Sequence, residues 1–400
     1  MDLLFENEIA LVLIVKNESR YIKEWLEYHY RIGVDKFYIY NNDSDDRSEL
    51  LKILEPWIDA GVVDFEDASG KYRQMPVYNF AIEQHRFHCR YMGFIDTDEF
   101  IYIKTGQTLP EFLHDYFDNR DIISGFCINW RMFGSNGREK YQPIDVIERF
   151  TRREKDSPGH SNLVKTIVNP RRILYMPDPH NAQYMIYSEG CDEAFRYIRG
   201  ANSPYNTCDK IQLNHYYTKS VEEYFEKYSR GRADCAMGRD SNAAINPDFN
   251  EVEDLGLRDF WRQIKSQPFP PFKAQTSIQL LQNIKTMIES KFSDHQVERL
   301  LTCFFSIAKC DLISKNEKIS LRNYTLERLT ESISDQVSVV DLTILLTNLP
   351  HILITRLPAS KNLISKFQNY LPQLIFEYQT ELETTAEFHA RHMQAMLELI

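Results

Sequence analysis

The sequence predicts an α/β fold, a Rossmann-like sheet flanked by helices, followed by an all-α C-terminal segment. Over the first hundred residues, stretches rich in β-branched and aromatic residues alternate with helical patterns, the order expected of βαβ units and a mostly parallel sheet. From Leu257 to Ile400 there is no glycine, and apolar spacing such as Ile278, Leu281, Ile284, Ile288 and Val297, Leu300, Leu301, Phe304 fits amphipathic helices.

Taken in order, residues 9–15 read as a buried strand, 19–31 as a helix capped by Ser19, and 36–40 as a second strand ending in the polar cluster 41–46. Residues 46–60 give a helix stopped by Gly61, 62–66 a third strand, 75–90 another helix, and 91–95 a fourth strand running into Asp96-Thr97-Asp98-Glu99. After Ile103 the pattern loosens, with strands expected near 122–130, 163–168 and 210–214 and a glycine-containing loop at 133–137. The proline-rich stretch 267–272 suits neither a helix nor an inner strand, so the expected domains are 1–264 and a helical 273–400.

In open α/β sheets ligands bind outside the carboxyl ends of the strands. Lys16-Asn17-Glu18, residues 41–46, 67–71 and 96–99 are therefore expected to converge on one crevice.

Composition narrows the partners. The chain has 400 residues, 43% apolar, enough for a substantial core. Its net charge is −11, and residues 265–400 hold 14 Lys/Arg against 14 Asp/Glu, so the acidic excess lies in residues 1–264. An acidic chain of pI near 5.6 lacks the clustered cations of a nucleic-acid footprint. The seven cysteines (89, 127, 191, 208, 235, 303 and 310) show no C-x-x-C spacing and read as reduced thiols. Residues 9–15 are too short to span a membrane, and Asp2, Glu6 and Glu8 do not suit the basic start of a signal peptide. The expected location is the cytoplasm, with the inner membrane face open to a peripheral enzyme.

Two carboxylates one residue apart at a buried strand end are costly unless they meet positive charge, and Mg²⁺ or Mn²⁺ gripping a diphosphate would supply it. Such a cation neutralises charge on a leaving nucleoside diphosphate, the main electrostatic task in sugar transfer. The bland alternative for Asp96–Glu99 is an exposed acidic turn or helix cap.

Several segments carry a resemblance. Val15-Lys-Asn-Glu18, Glu24-Trp25, Tyr28-His29, Gly33, Phe37-Tyr-Ile-Tyr-Asn-Asn42 and Gly93-Phe-Ile-Asp-Thr-Asp-Glu-Phe100 resemble glycosyltransferase family 92 and its bacterial family-2-like relatives. Trp130-Arg-Met-Phe-Gly-Ser-Asn-Gly137, Glu148-Arg-Phe150, Val164-Lys-Thr-Ile-Val168, His180 and Leu213-Asn-His-Tyr216 with Lys219-Ser220 continue it, over roughly residues 8–235. The resemblance implies a GT-A-type mixed sheet, a nucleotide-sugar donor with UDP favoured, a divalent metal, and inversion at the anomeric carbon.

Carried over by position, Asn17, Glu18 and Asn42 resemble the edge that holds base and ribose. Asp96 would face ribose and metal, Asp98 would bind the metal directly, and Glu99 would orient its neighbours. His215 resembles the late histidine of several GT-A metal sites, with a core histidine as the competing reading. Lys219 could pair with the diphosphate as a point charge, although a lone lysine after an aromatic pair is more often a solvated surface cation. For the general base that takes the acceptor's proton, Glu148 is chosen over Glu139 and Asp145. Trp130 and Phe133 could stack on a sugar or pack in the core.

The reading is a hexosyltransferase, galactose being one candidate sugar, acting on a glycan or lipid-linked glycan in surface polysaccharide synthesis. Nucleotidyltransfer is disfavoured because Lys16-Asn-Glu-Ser19 is no glycine-rich phosphate loop. A catalytically silent glycan-binding or assembly protein on the same fold is the non-enzymatic alternative. The helical tail leaves room for a homo-oligomer or peripheral membrane contact, although its neutral charge favours packing.

Overall fold

Every residue from Ile9 to Leu13 is fully buried, because helices cover both faces of the strand they form. This strand, β1 (Asn7–Val15), pairs in parallel with β2 (Lys36–Asn41) and β4 (Cys89–Phe94), and β3 (Val63–Asp67) pairs in parallel with β2. The computed structural model describes residues 5–156, 162–231, 248–272, 282–284, 286, 296–309, 313–333 and 338–370.

The connecting helices are α1 (Ser19–Arg31), α2 (Arg47–Asp59) and α3 (Gln74–His85). Gly61 ends α2 as expected, with φ +72° and its N–H on the carbonyl of Ile58. Ser19 does not cap α1. It is the first helical residue, and its own N–H donates to Asp46 Oδ2 at 2.9 Å, so a carboxylate from the neighbouring strand end does the capping.

Beyond β4 the chain gives β5 (Glu99–Ile103), α4 (Leu109–Phe117), β6 (Ile123–Met132), α5 (Val146–Arg149), β7 (Arg152–Arg153) and β8 (Val164–Val168). The short strands β9 (Ile173–Tyr175), β10 (Gln183–Tyr184), β11 (Glu189–Cys191) and β12 (Tyr197–Ile198) follow, then β13 (Ile211–His215), α6 (Val221–Ser229), β14 (Val252–Glu253) and α7 (Gly256–Lys265). The main sheet runs β12-β11-β6-β8-β4-β1-β2-β3. It is mixed: β8 is antiparallel to both β4 and β6, and β13 pairs in parallel with β6 and antiparallel with β5. The sequence reading omits β5, α4 and α6. The two helices carry legible signals, since Thr108 with Glu111 and Ser220 with Glu223 are capping boxes.

The helical segment contains Gln296–Lys309, Lys315–Ser332, Val339–Ile354 and Pro358–Gln368. The expected stripe Val297, Leu300, Leu301, Phe304 is buried in one core with Leu345, Leu349, Leu363 and Phe367. Ile284 is buried, while Ile278, Leu281 and Ile288 lie outside the described residues. That core also takes in Phe87, Met185 and Ile186 of the sheet portion, and Phe87 stacks on Phe305 with ring centroids 4.6 Å apart. The proline-rich connector is strapped down: Tyr30 Oη donates to Pro271 O at 2.9 Å, and Phe269 and Phe272 pack on Trp57. Among the described residues Cys89, Cys127, Cys191, Cys208 and Cys303 are free and buried, and no helix is long and apolar enough to cross a membrane; Cys235 and Cys310 lie outside the described residues.

Glu298 joins the helices to the sheet. It accepts from Arg171 Nε at 2.6 Å and Arg172 Nε at 3.1 Å, all three side chains being nearly buried. Burial alone would raise its carboxyl, but Arg172 and Arg171 outweigh that and hold it far below the usual glutamate range. Removing one partner of such a group strands buried charge, so Glu298→Ala is expected to cost about 3–5 kcal/mol in urea unfolding at neutral pH. A loss below ~1 kcal/mol would mean that Glu298 does not hold the helices in place.

Candidate active site

Asp96, Thr97 and Asp98 lie between β4 and β5, where the chain turns from a parallel into an antiparallel neighbour. The turn is fixed from below. Trp25, fully buried on α1, donates its indole N–H to Asp96 O at 3.0 Å and Glu99 O at 2.9 Å. Its truncation would cost about 3–5 kcal/mol in core packing alone.

The carboxylates divide between two lysines. Lys165 Nζ on β8 is 3.0 Å from Asp96 Oδ2 and 3.4 Å from Glu99 Oε2. Burial would strip Lys165 of its proton, yet Asp96 and Glu99 outweigh it and hold the ammonium charged. Glu99 is fully buried, which pushes its carboxyl up, and Asp96 and Asp98 add to that against the pull of Lys165. It accepts the Asp96 N–H at 2.8 Å, the orienting task expected of it. Asp96 also accepts from Gln74 Nε2 at 3.2 Å and keeps 34% of its side chain exposed, enough to meet a ligand.

Asp98 points the other way. Its Oδ2 receives Lys227 Nζ at 2.5 Å and lies 3.6 Å from His215 Nε2. Burial would raise this carboxyl, but Lys227, His215 and Lys219 together hold it well below the usual aspartate range. His215 comes to Asp98 because β13 runs antiparallel to β5, with His215 opposite Glu99. It packs edge-on against Trp130 at 4.3 Å, and its burial disfavours the imidazolium, which leaves a nitrogen able to bind a cation. Both side chains are buried and in ring contact with each other, and His215 lies beside Asp98.

A third set of charges surrounds the end of β1. Lys219, in a left-handed conformation at φ +52°, is buried with its Nζ 3.5 Å above the Tyr21 ring. Burial lowers its pKa against the pull of Glu18 and Asp98. Arg230 pairs with Glu18 and donates to Lys16 O at 2.7 Å. Lys219, Lys227 and Arg230 thus lie with Glu18 and Asp98 on the β1 side, while Lys165 alone meets Asp96 and Glu99, so four cations balance four carboxylates and the positive charge is gathered on one side of the turn.

Other expected residues are placed differently. Asn17 exchanges hydrogen bonds with Asp45 across the β1 and β2 ends, at 2.7 and 3.0 Å, and remains on the crevice rim. Asn42 is buried and spends its amide N–H groups on Ala68 O and Gly70 O, at 2.8 and 2.7 Å, holding the loop after β3. Glu148 is not at the acidic turn. It sits on α5, whose N-terminal N–H groups are received by Glu24, and its carboxylate is gripped by Arg262 of α7 at 2.8 and 2.5 Å. A carboxylate held in a two-point ion pair is poorly available as a base, and no described contact links it to Asp96, Asp98 or Glu99. Among the described residues no three metal-binding side chains converge: Asp98 lies beside His215, while Asp96 meets Lys165.

The family model for glycosyltransferase family 92 matches residues 13–241. The chain belongs to glycosyltransferase family 92. The fold that this family implied, a GT-A-type mixed sheet flanked by helices, is the one observed. Among relatives, a family 92 protein of Ricinus communis is 24% identical over 292 residues, covering 63% of this chain and 46% of its own length. Galactan beta-1,4-galactosyltransferase GALS2 of Arabidopsis thaliana is 32% identical over 181 residues, 40% of this chain and 35% of its own. The chain thus spans less than half the length of these plant relatives. A crystal structure of S. aureus TarS 1-349 aligns over 92% of both chains at 12% identity with a TM-score of 0.26.

In this family 92 chain, α6 brings Lys227 and Arg230 to the site, and α6 is itself anchored by Glu223. Its carboxylate pairs with buried Arg149 at 2.8 Å, accepts from Tyr21 Oη at 2.8 Å and caps the helix through Ser220. Burial would raise Glu223, but Arg149 and Ser220 outweigh it and bring it down to about 2. A carboxyl lowered from an ordinary value of about 4.3 contributes stability that is complete above that pH and is lost as pH falls toward 2. Glu223→Gln is therefore expected to lower stability at pH 7 and to flatten the decline between pH 5 and 2, measured by urea unfolding across that range. An unchanged acid limb would remove Glu223 from this role.

Proposed function

We propose that the protein is a metal-dependent, inverting hexosyltransferase that uses a nucleoside diphosphate sugar, with UDP the favoured nucleotide. The observation that carries the reading is the pairing of Asp98 with His215 at 3.6 Å beside the clustered cations Lys219, Lys227 and Arg230. A carboxylate and a neutral imidazole, both buried, fit Mn²⁺ or Mg²⁺ as a two-ligand foothold, with phosphate oxygens completing the shell. When bound, such a cation neutralises charge on the departing diphosphate.

The chain's own groups supply the rest. Lys219 and Arg230 would hold the diphosphate by charge, and Asp96, anchored by Lys165, would present its exposed oxygen to ribose. Glu18 and Asn17 remain at the nucleotide edge, whereas Asn42 would act by holding the loop after β3. Galactose as the transferred sugar and a glycan as the acceptor rest on likeness to galactan beta-1,4-galactosyltransferases. Surface polysaccharide synthesis at the inner membrane face stays part of the proposal as its setting. To take the acceptor's proton, Glu148 would first have to leave its ion pair with Arg262.

Calorimetry and thermal shift with UDP, GDP and CMP, each with and without Mn²⁺, test the reading on wild type, Asp98→Asn and His215→Ala. Wild type is expected to bind UDP in a Mn²⁺-dependent way, and Asp98→Asn to lose this and about 10²–10³-fold of turnover while staying folded. A folded, fully active Asp98→Asn would remove the aspartate from the mechanism, and no nucleotide binding by wild type would overturn the transferase reading.

A further inference from the structure

The nucleotide edge of the proposed site lies at the ends of β1 and β2, the acidic turn follows β4, and the next strands in the sheet are β8 and β6. A sugar reaching past the diphosphate would therefore come over β8 and β6, where Trp130 and His180 meet with ring centroids 5.2 Å apart. Trp130 in turn packs on His215, the neighbour of Asp98. Trp130 Nε1 and His215 Nδ1 are buried and have no hydrogen-bond partner among the described residues. Polar atoms left in this way mark a place that receives water or a polar ligand.

His180 is held in place from several sides. Its backbone N–H donates to Asp178 Oδ1 at 2.8 Å, its carbonyl accepts from Thr166 Oγ1 at 2.8 Å, and its ring Nδ1 lies 3.0 Å from Val164 O. A carbonyl oxygen can only accept, so Nδ1 carries the proton, and in the neutral ring Nε2 keeps a lone pair. The residue is half-buried, and none of the described residues takes Nε2. Burial and the nearby Lys165 of β8 lower its pKa to about 4, against the opposite pull of the Val164 carbonyl, of Asp178 on its own loop and of Asp96 in the turn. The ring is thus neutral at pH 7 and about as basic as an ordinary carboxylate. One nitrogen fixed and the other open toward the sugar side is the arrangement a general base needs.

We propose that His180 is the base that takes the proton of the acceptor hydroxyl. This rests on the transferase reading above and deepens it. The hydroxyl O–H bond breaks with its proton passing to His180 Nε2, while the oxygen's electron pair forms the new bond to the anomeric carbon. The bond from that carbon to the diphosphate breaks, and its pair leaves on the phosphate oxygen. The imidazolium formed then gives its proton to solvent, which its lowered pKa favours.

The test is turnover of UDP-galactose and UDP-glucose by the full chain with Mn²⁺, with water and with a galacto-oligosaccharide as acceptors, beside calorimetry with UDP, for wild type, His180→Gln and His180→Ala. Glutamine keeps an N–H for Val164 O but is no base. Both variants are expected to bind UDP as wild type does and to lose about 10²–10⁴-fold in kcat. Free imidazole is expected to return part of the rate to His180→Ala, which a purely structural defect would not allow. A His180→Gln that keeps the wild-type kcat overturns the base role. A loss confined to donor affinity, with kcat retained at saturation, makes His180 a contact of the donor sugar and overturns that role as well. If wild type binds UDP but turns over neither donor, the base role alone is overturned; if it binds no UDP, the transferase reading fails and takes this role with it.

Discussion

The site depends on the cost of burying the acidic turn Asp96–Glu99 at the end of a sheet strand. Glu99 is fully buried and Asp98 nearly so, and carboxylates in such surroundings persist only beside positive charge or strong donors. Lys165 answers Asp96 and Glu99 from one side, and Lys227 answers Asp98 from the other. The two lysines point the two aspartates in different directions. In this arrangement Asp98 faces the imidazole, and Asp96, partly exposed, faces the rim.

Topology makes this division possible. The parallel strands β3, β2, β1 and β4 gather their carboxyl ends on one edge, and the antiparallel insertion of β8 then lets Lys165 reach across beneath the turn. The antiparallel pair β5–β13 brings His215 back to a turn 117 residues earlier in the chain. Helix α6 follows five residues after that strand, and its capping box, its pair with Arg149 and its bond to Tyr21 place Lys227 at Asp98 and Arg230 at the β1 end. The segment from β13 through the end of α6 thus supplies the imidazole and three of the cations that surround the crevice.

The helical segment is joined to this scaffold through the same stretch of chain that follows β8. Arg171 and Arg172 lie just beyond Val168, and their shared partner Glu298 sits on the first turn of Gln296–Lys309. Arg171 also donates to the carbonyl of Cys89, the first residue of β4. Helix attachment, the start of β4 and the strand that carries Lys165 are therefore one connected packing unit. The segment's own core is completed by Phe87, Met185 and Ile186, which makes it a continuation of the sheet portion's surface.

By itself the sequence determined the alternation that makes an α/β sheet, the strand ends that meet at a crevice, the acidic turn as its centre, and the helical character after Leu257. These follow from periodicity of 2 and 3.6 and from capping and glycine signals, which are local. It also marked His215 and Lys219, through likeness of a short segment. Lys165 and Lys227 stayed hidden as site residues, because nothing local to Val164–Val168 or to α6 says which carboxylate a lysine will meet; the capping box at Ser220 could have placed α6, and spacing from Glu223 puts Lys227 on the same face. Glu148 and Asn42 read as functional by position, and in the structure their side chains meet Arg262 and the loop after β3. Only the tertiary structure decided these partners, since they depend on strand order and on contacts between residues tens to more than a hundred positions apart, where electrostatic cost in a buried space selects the pairing.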